Sequence, residues 1–262
     1  MPSYRPPAVA GLFYSSDPQI LDQQIHRWLD VTVPGASDHC PKVLVVPHAG
    51  YFSSGEIAAL AYVLLKPFSH QIRRVVLLGP THRHGLHGMA IPSVDVFQTP
   101  IGPITLDRKT MADLLMNSEV MVSDEAHAFE HSLEVQLPFL KRVLTDFVMV
   151  PLAIGRTDSD AVFGVVEQLW GGDETLVIVS TDLSHFLTST RASRRDRQTL
   201  EKIMRLSPTL EPEDACGALA LNGVLRASSQ RGLHAKLLAA THSGITTGDM
   251  RRVVGYGTVA LW

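Results

Sequence analysis

The stretch VLVVPHAG, residues 43–50, places an apolar run directly before a proline, a histidine and a glycine. Two further stretches repeat the pattern, VVLLGPTH at 75–82 and LVIVSTDLSH at 176–185. Runs rich in Val, Ile and Leu and bounded by Gly and Pro read as strands covered on both faces, as in a mostly parallel α/β sheet. In such sheets ligands bind in the crevice beyond the carboxyl ends of the strands. His48, His82, Asp182 and His185 are all delivered to that edge, which predicts a site there, and a metal site in particular.

The remaining composition narrows the class. A chain of 262 residues with 45% hydrophobic content suits one α/β domain, expected over residues 1–262. A net charge of −3, from 23 basic and 26 acidic residues, carries no bias toward nucleic acid. Two cysteines, Cys40 and Cys216, imply no disulfide framework and suit a reducing compartment. No apolar run reaches the length of a membrane span and the N-terminus lacks a signal-type apolar region, so a soluble, cytoplasmic protein without a membrane partner is expected.

Around the three strands the chain alternates in period. Asp17 and Pro18 start a helix to Leu29 with a stripe of Ile20, Leu21, Ile25, Trp28 and Leu29. A Pro/Gly/Ser/Asp segment, Val33–Pro41, leads into the first strand. A serine-capped helix is expected over 54–66, short antiparallel strands around a turn over 86–106, and a helix from Asp107 to about Asn117. An amphipathic segment at 132–143 should bend or break at Pro138. A short strand at 147–151, helices at 158–170 and 191–206, a helix starting near Pro212 and two closing strands complete the reading.

Each candidate residue has an ordinary alternative. His48 and His82 sit in equivalent turns, and two such turns on two strands point to a shared ligand pair, since neutral imidazole is a common metal ligand. Cys216, expected in the first turns of a helix where the macrodipole favours a thiolate, is the third ligand, unless it is a small buried hydrophobe. Cys40 is the weaker cysteine. Asp182 and His185 form an acid/base pair; otherwise Asp182 caps a helix. His127, Glu130 and His131 spell H-x-x-E-H, an inverted zinc-protease pattern that must lie on a helix. Ser132 resembles a cap rather than a mid-helix residue, so Glu130, His131 and Glu134 are read instead as pocket wall or as partners of the ligands. Arg191, Arg194, Arg195 and Arg197 form a basic helix face, and no glycine-rich nucleotide signature occurs.

Seven segments in order, RPPAVAGLFY, VVPHAGY, LLGPTH, SVDVFQTPIG, EHSLEVQLPFL, IVSTDLSHF and ACG, give the chain a resemblance to the Memo family, the AmmeMemoRadiSam system protein B of prokaryotes. The resemblance implies a fold similar to LigB-type class III extradiol dioxygenases, a mixed sheet flanked by helices. It also implies metal ligands at His48, His82 and Cys216, with Asp182 and His185 as the acid/base pair. Thiolate in place of the dioxygenase carboxylate suits copper or zinc, with iron retained as a candidate.

Two functions follow from different classes. One is an iron- or copper-dependent oxidoreductase acting on a small molecule. The other is a non-catalytic protein that binds metal or a peptide-like ligand and serves a radical-SAM system protein. A metalloprotease built on His127–His131 is the third reading.

Overall fold

The computed structural model describes residues 2–33 and 37–262; the Pro34–Ala36 portion of the expected linker lies outside the described residues. The chain runs β1 (Tyr4–Arg5), α1 (Pro18–Leu29), β2 (Val43–Val46), α2 (Tyr51–Val63), β3 (Arg74–Pro80), β4 (Met89–Ile91), β5 (Val96–Thr99) and β6 (Gly102–Thr105). It continues through α3 (Arg108–Leu114), β7 (Val120–Val122), α4 (Asp124–Ala128), α5 (Leu137–Val143), β8 (Val148–Ile154), α6 (Ser159–Leu169) and β9 (Thr175–Ser180). The last elements are β10 (His185–Leu187), α7 (Ser189–Met204), α8 (Ala218–Gln230), β11 (Ala235–His242), α9 (Gly244–Thr247) and β12 (Val253–Leu261).

Among the described residues, a nine-stranded mixed sheet has the order β10-β12-β2-β9-β3-β8-β4-β7, with β11 also paired to β12. β2, β9, β3 and β8 are parallel neighbours, and all four are buried nearly end to end, as their unbroken apolar runs require. The register sets Val46 beside Ser180 and Leu78 beside Val179. His48, Asp182 and His82 therefore leave three adjacent strands at one edge of the sheet. The closing strands β11 and β12 pair antiparallel, as expected, and β12 returns beside β2. Helices α1, α2 and α5 pack together, and α6 packs on α8, which lies against β3 and β9. No helix among the described residues is long and apolar enough to cross a membrane.

Several local readings are corrected. Asp17 caps α1 through the N–H groups of Gln19 and Ile20, but Ile20 is exposed and the buried stripe is Leu21, Ile25 and Leu29. Helix α2 begins at Tyr51 with no side-chain cap, because its N-cap residue is Gly50; the Tyr51 N–H is taken by the carbonyl of Phe13. Ser54 instead donates to the Ala49 carbonyl inside the first turn. Pro138 does not interrupt a helix; it sits in the first turn of α5, where a missing N–H costs nothing, after a 3-10 turn over Glu134–Gln136. Helix α8 starts at Ala218, so Cys216 precedes it rather than lying within its first turns.

Candidate metal centre

Ser180, at the end of β9, aims His48. Its hydroxyl has one proton, which it donates to the Ser132 carbonyl at 2.5 Å. It must then accept from both other neighbours, the Gln136 amide at 2.8 Å and His48 Nδ1 at 3.1 Å. Gln136 is itself oriented, since its amide nitrogen also donates to the Pro47 carbonyl and its oxygen accepts from Tyr62. His48 thus carries its proton on Nδ1 and presents a bare Nε2, which lies 3.3 Å from Cys216 Sγ. His48 is fully buried, and burial together with the nearby His82 and His131 rings holds its pKa far below the ordinary imidazole range. It is a neutral donor.

Glu130 performs the corresponding task for His82. One carboxylate oxygen accepts from the His82 backbone N–H, the other from His82 Nδ1 at 3.0 Å and from the N–H groups of His131 and Ser132. Burial alone would raise this carboxyl, but the facing His131 ring and the donors of His82 and Ser132 outweigh it and hold it well below the carboxylate range. The loop carrying Glu130 reaches β3 because residue 79 is glycine: a Cβ there would lie 2.9 Å from both Leu133 and Ser132 side-chain atoms. His131 joins from the same loop. Its Nδ1 lies 3.1 Å from Glu130 but outside hydrogen-bonding geometry, and it is a buried nitrogen with no hydrogen-bond partner.

One ring nitrogen each of His48, His82 and His131 falls within 4.8 Å of the others, a group able to hold a metal ion. His48 is buried, His131 half-buried and His82 open to solvent, so the cluster is accessible from one side. Two imidazoles oriented from behind and a third converging on them fit a transition metal. His131, read from sequence as pocket wall, belongs to the cluster itself.

Cys216 meets this group through His48 alone. The Asp182 N–H donates to its sulfur at 3.3 Å, and Gly217 lets the two backbones approach, since a Cβ there would lie 2.7 Å from Thr181 Cβ. Burial first and the Asp182 charge second push the thiol up to about 12. This reverses the expectation of a helix-stabilised thiolate: the sulfur lies before the helix, in an enclosed place. The hydrogen bonds from Thr181 and from the Asp182 and Gly217 N–H groups do not offset burial, so a bound cation would be needed to favour its ionised form.

Asp182 accepts from the His48 backbone N–H at 2.8 Å, and burial lifts its carboxyl to about 7. His185 opens β10; burial lowers its pKa, and its ring stacks edge-on against Phe186, whose φ of 60° is unusual for a non-glycine residue. No hydrogen bond between described residues joins Asp182 to His185. Glu134 faces away from the cluster, gripping the N-terminal segment through Arg5, Tyr14 and the N–H groups of Ala8 and Val9. His127 is buried against the Ala90 carbonyl, and α4 ends at Ala128, so the H-x-x-E-H residues share no helical face. The basic face of α7 lies elsewhere, with Arg195 paired to Asp214.

An α/β protein with three histidines converging at the carboxyl edge of its parallel strands is the class that fold and site define. The sequence profile of the Memo-like protein family matches residues 5–260, and the chain belongs to that family. It is 34% identical to a MEMO1 family protein of Methanosarcina barkeri, covering 97% of this chain and 98% of the relative. A MEMO1 family protein of Saccharolobus solfataricus is 33% identical over 96% of this chain and 97% of its own length. One from Methanopyrus kandleri is 34% identical, with 97% and 98% covered.

Proposed function

We propose that this Memo-family protein is a metal-dependent oxidoreductase, related in chemistry to the class III extradiol dioxygenases and acting on a small molecule in the cytoplasm. The observation that carries the reading is the convergence of His48, His82 and His131, two of them oriented from behind by Ser180 and Glu130. Cys216, expected from sequence as a ligand with His48 and His82, adjoins the group as a further donor. Iron or copper suits a mixed imidazole and thiolate set, with zinc as the third choice. Such an ion would supply redox chemistry and open positions for substrate or dioxygen.

The chain's own groups supply proton transfer. Asp182, lifted to about 7, can hold or release a proton at its carboxyl near neutral pH. His185, neutral and half-buried, can take one at a ring nitrogen. Glu130 stays ionised and keeps His82 aimed.

The test is the metal content of protein purified without oxygen, compared with Cys216→Ser, His131→Ala and the Cys216→Ser/His82→Ala pair. Near-stoichiometric iron or copper lost in the double variant is the expected result. A wild type that arrives metal-free and takes up no Fe(II), Cu(I) or Zn(II) would sink the reading. His185→Ala should abolish turnover and keep the metal; loss of metal would make His185 a ligand.

A second reading is a non-catalytic metal- or ligand-binding protein serving a radical-SAM partner. The missing hydrogen bond between Asp182 and His185 favours it. Turnover of no substrate by metal-loaded protein, with binding to such a partner, would establish it.

A further inference from the structure

A cavity of about 430 Å³ lies beside the histidine cluster, its wall including Cys216, which touches His48, and Thr81, which precedes His82. That size falls at the lower end of the ~300–1,000 Å³ typical of small-molecule sites. Leu86 and Ile154, both buried, and Leu219 give it an apolar lining.

Apart from Thr81 and Cys216, the polar side chains of the cavity are basic ones. Arg156, His84 and His87 line it, and no aspartate or glutamate does. Arg156 forms no ion pair with a described residue, although Glu119 engages its neighbour Thr157. The guanidinium is a permanent cation, and each imidazole offers an N–H whatever its protonation. Position is set by the backbone: the Arg156 N–H donates to the Leu86 carbonyl at 2.7 Å and Gly88 donates back to Arg156 at 2.8 Å. The strand end and the 84–87 loop are thereby held as one frame. On the α8 side, the first-turn N–H groups of Leu219 and Ala220 have no backbone acceptor among the described residues.

We infer that this cavity binds a small amphipathic anion, its carboxylate or phosphate head on Arg156 and its apolar body on Leu86, Ile154 and Leu219. The inference rests on the proposed metal centre in one respect, that the bound molecule is the substrate presented at the Cys216 wall. A guanidinium suits either head group, because it pairs two N–H donors with two oxygens. An apolar lining free of carboxylates removes the competing repulsion.

Calorimetry on the full-length protein tests this with hexanoate, hexyl phosphate and neutral hexanamide as probes. One or both anions should bind wild type at least about tenfold more tightly than hexanamide, the loss expected when a charged hydrogen bond is removed. Arg156→Ala should lose that advantage and Arg156→Lys should regain part of it, and the tighter anion names the head group. Circular dichroism checks that the variants, altered at an exposed side chain, keep the fold. Equal binding of hexanamide and both anions, no binding of any probe, or an unchanged Arg156→Ala would overturn the inference. Metal content of the same samples separates the two ideas. Metal-free protein that binds the anion through Arg156 removes the oxidoreductase reading and keeps the site; metal-loaded protein indifferent to probe charge does the reverse.

Discussion

His82 and Glu130 are joined at two points, the carboxylate receiving both the backbone N–H and the Nδ1 of the same histidine. The pairing fixes the ring's plane and leaves its other nitrogen for the cluster. It also ties the end of β3 to a loop 48 positions further along the chain, so an exposed histidine is held at both its backbone and its ring.

Glu130→Gln should weaken metal binding by about 10–100-fold, the usual effect of removing a ligand's supporting carboxylate. Competition with a calibrated chelator would measure it. Unchanged affinity would mean that His82 is aimed by something else. Glu130→Ala should in addition lower stability, because the Arg83, His131 and Ser132 N–H groups lose their acceptor.

Ser180→Ala strands the His48 Nδ1–H and one Gln136 donor in a dry interior. A cost of about 1–3 kcal/mol in urea unfolding is expected. Ser180→Thr, which keeps the hydroxyl, should recover part of the metal affinity if proton placement on His48 is what matters.

The pair Arg5 and Glu134 is buried on both sides and closes at 2.6 Å. Glu134→Gln leaves the guanidinium without its counter-charge, at about 3–5 kcal/mol, or a melting temperature lower by roughly 10 °C. Since the same carboxylate holds Ala8, Val9 and Tyr14, limited proteolysis of the variant should begin in the first fifteen or so residues. A variant as stable as wild type would contradict this.

Stability should rise with pH through a window set by His127. Burial lowers its pKa to about 4, against an ordinary value of 6.5. Between those values the unfolded chain binds the extra proton, so the contribution is complete above about 6.5 and is lost as pH falls toward 4. Its full size is about 3 kcal/mol at 1.36 kcal/mol per unit. The difference in unfolding free energy between wild type and His127→Gln isolates it. A difference that stays flat from pH 4 to 7 would refute the assignment.

Much of this architecture was readable from residue order alone. Unbroken apolar runs at 43–47, 75–80 and 176–181 betray strands buried on both faces, because only a doubly covered strand can hide every side chain. Aspartates at 17, 107 and 158 mark three helix starts, since a short carboxylate satisfies the free N–H groups of a first turn. His48 and His82 follow from the same logic, each lying just past the end of a buried strand. Only the tertiary structure decided that His131 joins them, that Cys216 touches the group through His48, and that Glu130 and Ser180 stand behind the rings. Periodicity reports how one segment is buried, whereas these relationships depend on which loops meet. Gly79 admits the 130s loop and Gly217 admits Cys216. The proton on His48 is placed by Ser180, Ser132, Gln136, Pro47 and Tyr62, five groups from four segments, brought together when the sheet inserts β9 between β2 and β3.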